Sequence, residues 1–335
     1  MEPVLLWLTL TAVVIAQLWA HLDAAYHVRA GFALESFWTW PHAVLYGGKA
    51  ATAVVAAIAL RSGTRATAGY GLVLAGVGLF LIGGGIDVVW HRWVGIEVGL
   101  EALLSPAHLG LVVASAVSGA GLLRVALAHR AAAPPGWRAD APVVAGLAVL
   151  FRITTWSLFY SAPAAADYAA GGARVGSWPA FAGMAWDTPA AAVAGVTGFV
   201  LHAVLLAGFL VGPVRACGLP RGAVAAIIGW DAGLTAAVSG YWLAALAAVA
   251  PAVAGEALAA RIRQSGGRDG RAGYRALAGL VPAVGAATSL VLLAPELRWS
   301  PALTAGTPVL AGLYGLATSL LMLPPGRVGD NGGDR

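Results

Sequence analysis

TAGYGLVLAGVGLFLIGGGIDVVW, residues 67–90, is a long apolar stretch that contains one charged residue, Asp87. A helix of about 20 apolar residues is long enough to cross the hydrocarbon core of a bilayer. The stretch therefore predicts a transmembrane helix. Asp87 lies near its C-terminal end and needs a specific explanation, because ionisable groups within membrane segments are costly and usually functional.

The composition extends this prediction to the whole chain. Of the 335 residues, 59% are hydrophobic and 10% are charged, whereas soluble domains carry about 25% charged residues. A soluble enzyme and a disordered protein are therefore excluded. The net charge of +5 does not indicate a nucleic-acid partner, because the arginines are scattered along the chain. The single cysteine, Cys217, excludes a disulfide framework, a cysteine-rich zinc site and an iron–sulfur cluster.

Similar apolar stretches predict about ten spans in the chain. They are residues 3–22, 41–60, 67–90, 105–128, 141–160, 188–212, 222–238, 240–260, 276–294 and 301–323. Lipid admits only helices or closed barrels, and the stretches show no strand-like alternation. We therefore predict an all-α, polytopic transmembrane helical bundle. Residues 222–260 are interrupted only by Ser239-Gly240, which leaves a single long helix or a re-entrant pair open there.

The distribution of arginine predicts the topology. Arginines concentrate after the even-numbered spans, above all in residues 261–275, and an excess of this kind is typical of cytoplasmic loops. We expect an integral protein of a bacterial inner membrane with both termini in the cytoplasm. No basic residue precedes the first apolar run, so residues 3–22 predict a retained helix rather than a signal peptide.

Two loops and the helices around them share one pattern. Residues 22–48, LDAAYHVRAGFALESFWTWPHAVLYGG, parallel residues 86–112, IDVVWHRWVGIEVGLEALLSPAHLGLV. The positions that match, with one gap, are Asp23 and Asp87, His27 and His91, Gly31 and Gly95, Glu35 and Glu101, Pro41 and Pro106, and His42 and His108. We interpret the pattern as an internal duplication of a helix pair. Residues 1–130 are then the duplicated region, and residues 131–335 are the remaining helices of the same bundle.

Several of the apolar runs begin in the same way. A hydroxyl residue is followed within two positions by proline at Thr39, Ser105, Ser177 and Ser300. A capping hydroxyl and a proline in the first turn mark the N-terminus of a helix. The motif therefore places His42 and His108 in the first turns of their helices.

Each repeat brings one carboxylate and two imidazoles to the same end of two adjacent helices. In Asp-x-x-x-His the two side chains share a helix face, and the next helix returns its own histidine to the same side of the membrane. Two nitrogens and one oxygen suit Cu(II), Zn(II) or non-haem Fe(II) and leave coordination positions open. The predicted ligands are Asp23, His27, His42, Asp87, His91 and His108, in one dinuclear site or two mononuclear sites.

Three glutamates lie in the same loops and extend the set of candidates. Glu35, Glu97 and Glu101 are candidates for additional ligands, for partners of the ligands or for proton carriers. The lack of a nearby cysteine or methionine argues against Cu(I) storage or export, which favours sulfur ligands. A structural alternative is that the histidines are hydrogen-bonded helix-end residues and that each Asp-x-x-x-His pair is a simple ion pair.

Other ionisable residues lie within the spans. Arg152, His202 and Asp231 predict either a buried Arg152–Asp231 pair or a path for substrate or protons. His21 lies two residues before Asp23, which is about 200° around a helix. We expect His21 to face away from the predicted ligands.

The predicted ligand pattern resembles the metal site of the C subunit of particulate methane and ammonia monooxygenases. The resemblance is carried by the Asp-x-x-x-His pairs at residues 23–27 and 87–91, each followed by a further histidine, His42 and His108. That family holds copper with one Asp and two His from membrane helices, so the resemblance implies a copper site. It covers only these short motifs. Here the further histidine follows a helix start with proline, and the trio occurs twice.

These observations favour a copper- or iron-dependent oxidation of a small apolar or lipid-like substrate at the extracytoplasmic membrane edge. O2 would bind at the open metal positions, and Glu101 or Glu97 would handle protons. The alternatives are a zinc-dependent membrane lipid hydrolase with Glu101 as general base, a metal or small-molecule transporter, and a haem-binding electron carrier. The expected partners are membrane lipid, the substrate, and further copies or other subunits.

Overall fold

The computed structural model describes residues 2–30, 39–95, 104–134, 136–159, 189–218, 220–265, 270–294, 297 and 299–323, without the side chains of residues 27–30, 189–191 and 217. All regular structure in these ranges is helical. The helices are α1 (Glu2–Ala30), α2 (Trp40–Arg61), α3 (Thr67–Trp93), α4 (Pro106–Ala132), α5 (Trp137–Trp156), α6 (Pro189–Cys217), α7 (Ala223–Ser239), α8 (Leu243–Ala247), α9 (Val249–Gln264), α10 (Gly270–Leu293) and α11 (Pro301–Met322). Nine helical segments of the described residues are long and apolar enough to cross a membrane, which confirms the predicted all-α polytopic bundle.

The open question at residues 222–260 is answered by a break at Gly240. The residue adopts a left-handed backbone with φ of 72° and ends α7, and its N–H donates to the Ala236 carbonyl at 2.8 Å. Such a cap is typical of glycine, which has no Cβ to clash in this conformation. The chain then continues through α8 and α9, which together form one candidate span, Leu243–Gln264. Two separate helical segments are therefore present, and α7 is a shorter helix of 17 residues.

The helix starts follow the capping chemistry of the sequence. Thr39, Ser105 and Ser300 are N-caps whose hydroxyl oxygens accept from the backbone N–H three residues later, at 3.4, 3.3 and 3.3 Å respectively. A proline occupies the first turn in each case. The predicted start at Ser177 lies outside the described residues.

The first four helices form two hairpins that lie side by side. α1 packs on α2, and α3 packs along α4 in the most extensive helix contact of the described residues. α2 also contacts α3 and so joins the hairpins, while α4 continues the bundle through its contact with α5. Each hairpin carries one copy of the pattern at residues 22–48 and 86–112. The internal duplication itself stays a prediction.

α3 shows how the bundle separates lipid from its polar interior. On its outer side Ile82 and Ile86 are 64% and 54% exposed, as expected of side chains that face acyl chains. Asp87, the next residue, is 3% exposed. The carboxylate therefore points into the protein rather than into lipid, as intramembrane ionisable groups generally do.

The tight contact between α3 and α4 depends on glycine. A Cβ on Gly76 would lie 2.7 Å from the Ala114 carbonyl oxygen and would also meet the backbone of Ser118, and a Cβ on Gly121 would lie 2.6 Å from the Val73 nitrogen. Small residues allow such close backbone approach in membranes, where helix association relies on packing instead of the hydrophobic effect. This contact fixes α4 against α3 and thereby the position of His108 relative to Asp87.

We predict that Gly76→Ala lowers the free energy of unfolding by about 1–3 kcal/mol, the usual cost of overpacking a rigid contact. Gly78→Ala in the same helix is the matched control, because a Cβ there meets nothing within 4 Å and alanine adds about 1 kcal/mol of helix propensity. Equilibrium unfolding in mild detergent measures both values. Equal stability of the two variants would contradict the close approach of α3 and α4.

Candidate metal centre

The structure brings three of the predicted ligands together at one end of the second hairpin. Asp87 and His91 lie one turn apart near the end of α3, and His108 lies in the first turn of α4. The Nε2 atoms of His91 and His108 lie 3.5 and 3.6 Å from Asp87 Oδ1. One donor atom of each residue lies within 4.8 Å of the other two. We call these three residues the Asp87 site.

The outer nitrogens of both imidazoles are held by oxygen atoms. His91 Nδ1 lies 3.3 Å from the Gly95 carbonyl oxygen, and His108 Nδ1 lies 2.9 Å from Ser105 Oγ. A carbonyl oxygen can only accept, so a neutral His91 ring carries its proton on Nδ1 and has a lone pair on Nε2. That lone pair faces the Asp87 carboxylate. Two acceptors in this arrangement repel each other unless a proton or a metal cation lies between them.

The distances in the Asp87 site favour a shared cation. N–H···O hydrogen bonds most often measure about 2.7–3.2 Å, and the separations of 3.5 and 3.6 Å are longer than every N–H···O contact described above. Two ligands that are each about 2.1 Å from an ion at a tetrahedral angle lie about 3.4 Å apart. In addition, the buried Asp87 Oδ1 accepts no hydrogen bond from any described residue. The site therefore fits a metal ion bound by two nitrogens and one oxygen.

The first hairpin places two of its predicted ligands together. His42 Nε2 lies 3.2 Å from Asp23 Oδ2, and Asp23 is 9% exposed. His27 follows Asp23 by one turn on α1, but its side chain lies outside the described part of the chain. Glu35, Glu97 and Glu101 also lie outside the described residues. Their proposed roles stay predictions.

Tyr46 lies between the two hairpins and was missed by the sequence analysis. It follows His42 by one turn on α2, and its ring lies 6.4 Å from the His42 ring and 5.6 Å from the Phe80 ring of α3. Its hydroxyl packs against Gly84, where any Cβ would collide with it. The available signals were the i, i+4 spacing from His42 and the glycine run 83–85 before Asp87.

The remaining buried ionisable residues, together with two threonines that hydrogen-bond to them, form a separate group. This Arg152 cluster consists of Arg152, Asp231, His21, Thr155 and Thr235. Arg152 Nη1 lies 3.3 Å from Asp231 Oδ1, which confirms the predicted pair. Arg152 Nε donates to His21 Nε2 at 2.6 Å. His21 therefore faces α5 and not the metal-ligand side of α1, as its position two residues before Asp23 predicts.

Comparison of the chain with protein-family models, with curated proteins and with solved structures found no match. The resemblance to the monooxygenase subunit therefore rests on the short Asp and His motifs alone.

We predict that Ser105→Ala weakens metal binding at the Asp87 site about 10- to 100-fold, because partners that orient a metal-bound histidine typically contribute that much. The variant also loses a helix N-cap, which contributes about 1 kcal/mol of stability. Ser300→Ala is the control, since Ser300 caps α11 in the same way but has no hydrogen bond to a histidine among the described residues. Titration with Zn(II) against a competing chelator measures the affinities. Wild-type affinity in Ser105→Ala would contradict the positioning role.

Proposed function

We propose that the chain is a membrane-embedded metalloprotein that binds a divalent transition-metal ion through Asp87, His91 and His108. The observation that carries this proposal is the 3.5 Å approach of His91 Nε2 to the Asp87 carboxylate, which is a repulsive contact between two acceptors when the ring is neutral with its proton on Nδ1. A divalent cation removes the repulsion and is bound by both groups. The Asp23–His42 contact supports a second centre of the same kind in the first hairpin.

The activity that we favour is the oxidation of a small apolar or lipid-like substrate by copper or iron with O2. A metal with two imidazoles and one carboxylate keeps open positions at which O2 and substrate chemistry can occur. The protein's own contribution is to hold the imidazoles through Gly95 and Ser105 and to place the site at the end of the bundle. Lipid-facing residues such as Ile86 lie next to it, which supports access for an apolar substrate from the membrane.

Zinc-dependent hydrolysis of a membrane lipid is the second candidate. The separations of 3.5 and 3.6 Å are near the tetrahedral ligand spacing that zinc prefers. Three protein ligands and one open position for water are also typical of catalytic zinc. Under either activity, the arginine distribution supports a cytoplasmic location for both termini and an extracytoplasmic location for the Asp87 site.

Metal content tests the ligand assignment. Protein purified in mild detergent should lose about one equivalent of metal in Asp87→Asn or His91→Gln, because either change removes one of three ligands. His129→Ala is the matched control, since His129 lies at the other end of α4 from His108. Metal content is measured by elemental analysis with expression and thermal stability as folding controls. An unchanged content in the folded Asp87→Asn variant means that a shared proton, and not a metal, occupies the contact.

The source of oxygen in the product separates the two activities. Protein loaded with copper, iron or zinc is supplied with a medium-chain alkane, a phospholipid, 18O2 and a quinol as two-electron reductant. We expect 18O in an alcohol product from the copper- or iron-loaded protein, and none from Asp87→Asn. The same assay in H2(18)O labels the released fatty acid if the protein is a zinc hydrolase. Label from water alone would contradict the oxidation proposal and support the hydrolase.

A further inference from the structure

A partly open cavity of about 110 Å³ lies among α5, α6, α7, α8, α9 and α10, away from the Asp87 site. Most of its wall is apolar and includes Phe199, Leu206 and Ile228. A cavity of this size exceeds the roughly 30 Å³ that a water molecule occupies in liquid and approaches the engineered cavities that bind benzene. It therefore has room for a small ring-sized molecule.

One side of the cavity wall is polar. His202, Arg152, Asp231 and Thr235 all line it. Arg152 Nη1 donates to Thr235 Oγ1 at 2.8 Å, and Thr155 Oγ1 donates to Asp231 Oδ1 at 2.6 Å. These bonds fix the guanidinium and the carboxylate on one side of an otherwise apolar space, as ligand pockets generally require.

Two donors of this wall have no hydrogen-bond partner among the described residues. His202 packs edge-on against the Phe151 ring, with 5.6 Å between ring centroids, but makes no hydrogen bond to the described part of the chain. The fully buried Nη2 of Arg152 also lacks a hydrogen-bond partner there. A guanidinium only donates, and a neutral imidazole always has one N–H to donate. A hydrogen-bond acceptor therefore satisfies both Arg152 Nη2 and the N–H of His202, whose second ring nitrogen is itself an acceptor.

The charges of the wall determine the charge of the ligand. The positive charge of Arg152 is already balanced by Asp231 at 3.3 Å. A carboxylate ligand would add an uncompensated negative charge in a region of low dielectric, which is strongly unfavourable. A neutral oxygen acceptor has no such cost.

We propose that this cavity is a binding site for a small, neutral, carbonyl-bearing apolar molecule whose oxygen accepts from His202. The apolar body packs against Phe199, Leu206 and Ile228, and the oxygen lies on the Arg152 side. The site is independent of the Asp87 site, because it shares none of the three metal ligands.

Cyclopentanone labelled with 13C at the carbonyl is the probe, with the protein in lipid nanodiscs. We expect a saturable downfield shift of the carbonyl resonance, as hydrogen bonding to the oxygen produces. Methylenecyclopentane has the same shape but no acceptor, and isobutyrate is an anion of similar size. Both should compete roughly tenfold or more less well than unlabelled cyclopentanone, since a hydrogen bond to such a wall contributes about 1.4 kcal/mol or more.

Two variants test the location without replacing either member of the Arg152–Asp231 pair. Ala232→Leu fills the cavity, and His202→Phe keeps the ring but removes its donor. Ala232→Leu should abolish the saturable shift, and His202→Phe should weaken binding roughly tenfold or more. Val253→Leu, on an exposed face of α9, should leave the binding unchanged. Thermal unfolding confirms that each variant is folded.

Four results would overturn the proposal. Equal competition by methylenecyclopentane would exclude recognition of the oxygen, and preferential binding of isobutyrate would show that the ligand is an anion. Retained binding in Ala232→Leu would place the ligand elsewhere. Absence of any saturable shift in the wild type would show that the cavity holds water only. None of these outcomes depends on metal at the Asp87 site.

Discussion

The burial of ionised groups within a bundle of apolar helices is the constraint on which this structure depends. Hydrocarbon offers no hydrogen bonds and no counter-ions, so each charge must find its partner inside the protein. Asp87 and Arg152 are both almost completely buried. Asp87 is surrounded by imidazoles, whereas Arg152 is paired with a carboxylate. The two sites therefore differ in how their charge is balanced.

α1 contacts both regions, because its different faces pack against different helices. His21 accepts from Arg152 of α5, while Asp23 contacts His42 of α2. Gln17, one turn before His21, donates to the Val149 carbonyl of α5 and accepts from Trp230 Nε1 of α7. A single helix thus anchors the hairpin region to the remaining helices through polar contacts, which in a membrane provide specificity that apolar packing lacks.

The parts of the structure that follow from local periodicity were predictable from the sequence. Asp87 and His91 share a face because they are four residues apart, and His108 lies beside them because Ser105 and Pro106 start the next helix. The break between the two helices at Gly240 was suggested in the sequence only by Ser239-Gly240. The left-handed backbone of Gly240 establishes it. The same local rule placed His21 on the other face of α1.

The parts that depend on lateral packing were not predictable. The contact between Tyr46 and Gly84 joins α2 to α3, and Arg152 lies 131 residues from its partner His21 in sequence. Helix periodicity states which face is polar but not which helix it meets. Ser105 was recognised as a cap, yet its bond to the outer nitrogen of His108 appears only once the rotamer of that histidine is known.

Asp87 and Arg152 differ in how the surrounding residues balance their charge. Arg152 has a carboxylate of opposite charge, two neighbouring hydroxyl-bearing residues and an imidazole acceptor, so its cluster is electrically neutral without any addition. The ion-pair partners of Asp87 in the described part of the chain are imidazoles alone. A neutral His91 ring that donates from Nδ1 to the Gly95 carbonyl presents a lone pair to the carboxylate. Neutral imidazoles would leave the carboxylate uncompensated, which supports the proposal of a cation there. The same rule of internal charge balance supports the proposal of a neutral ligand beside Arg152.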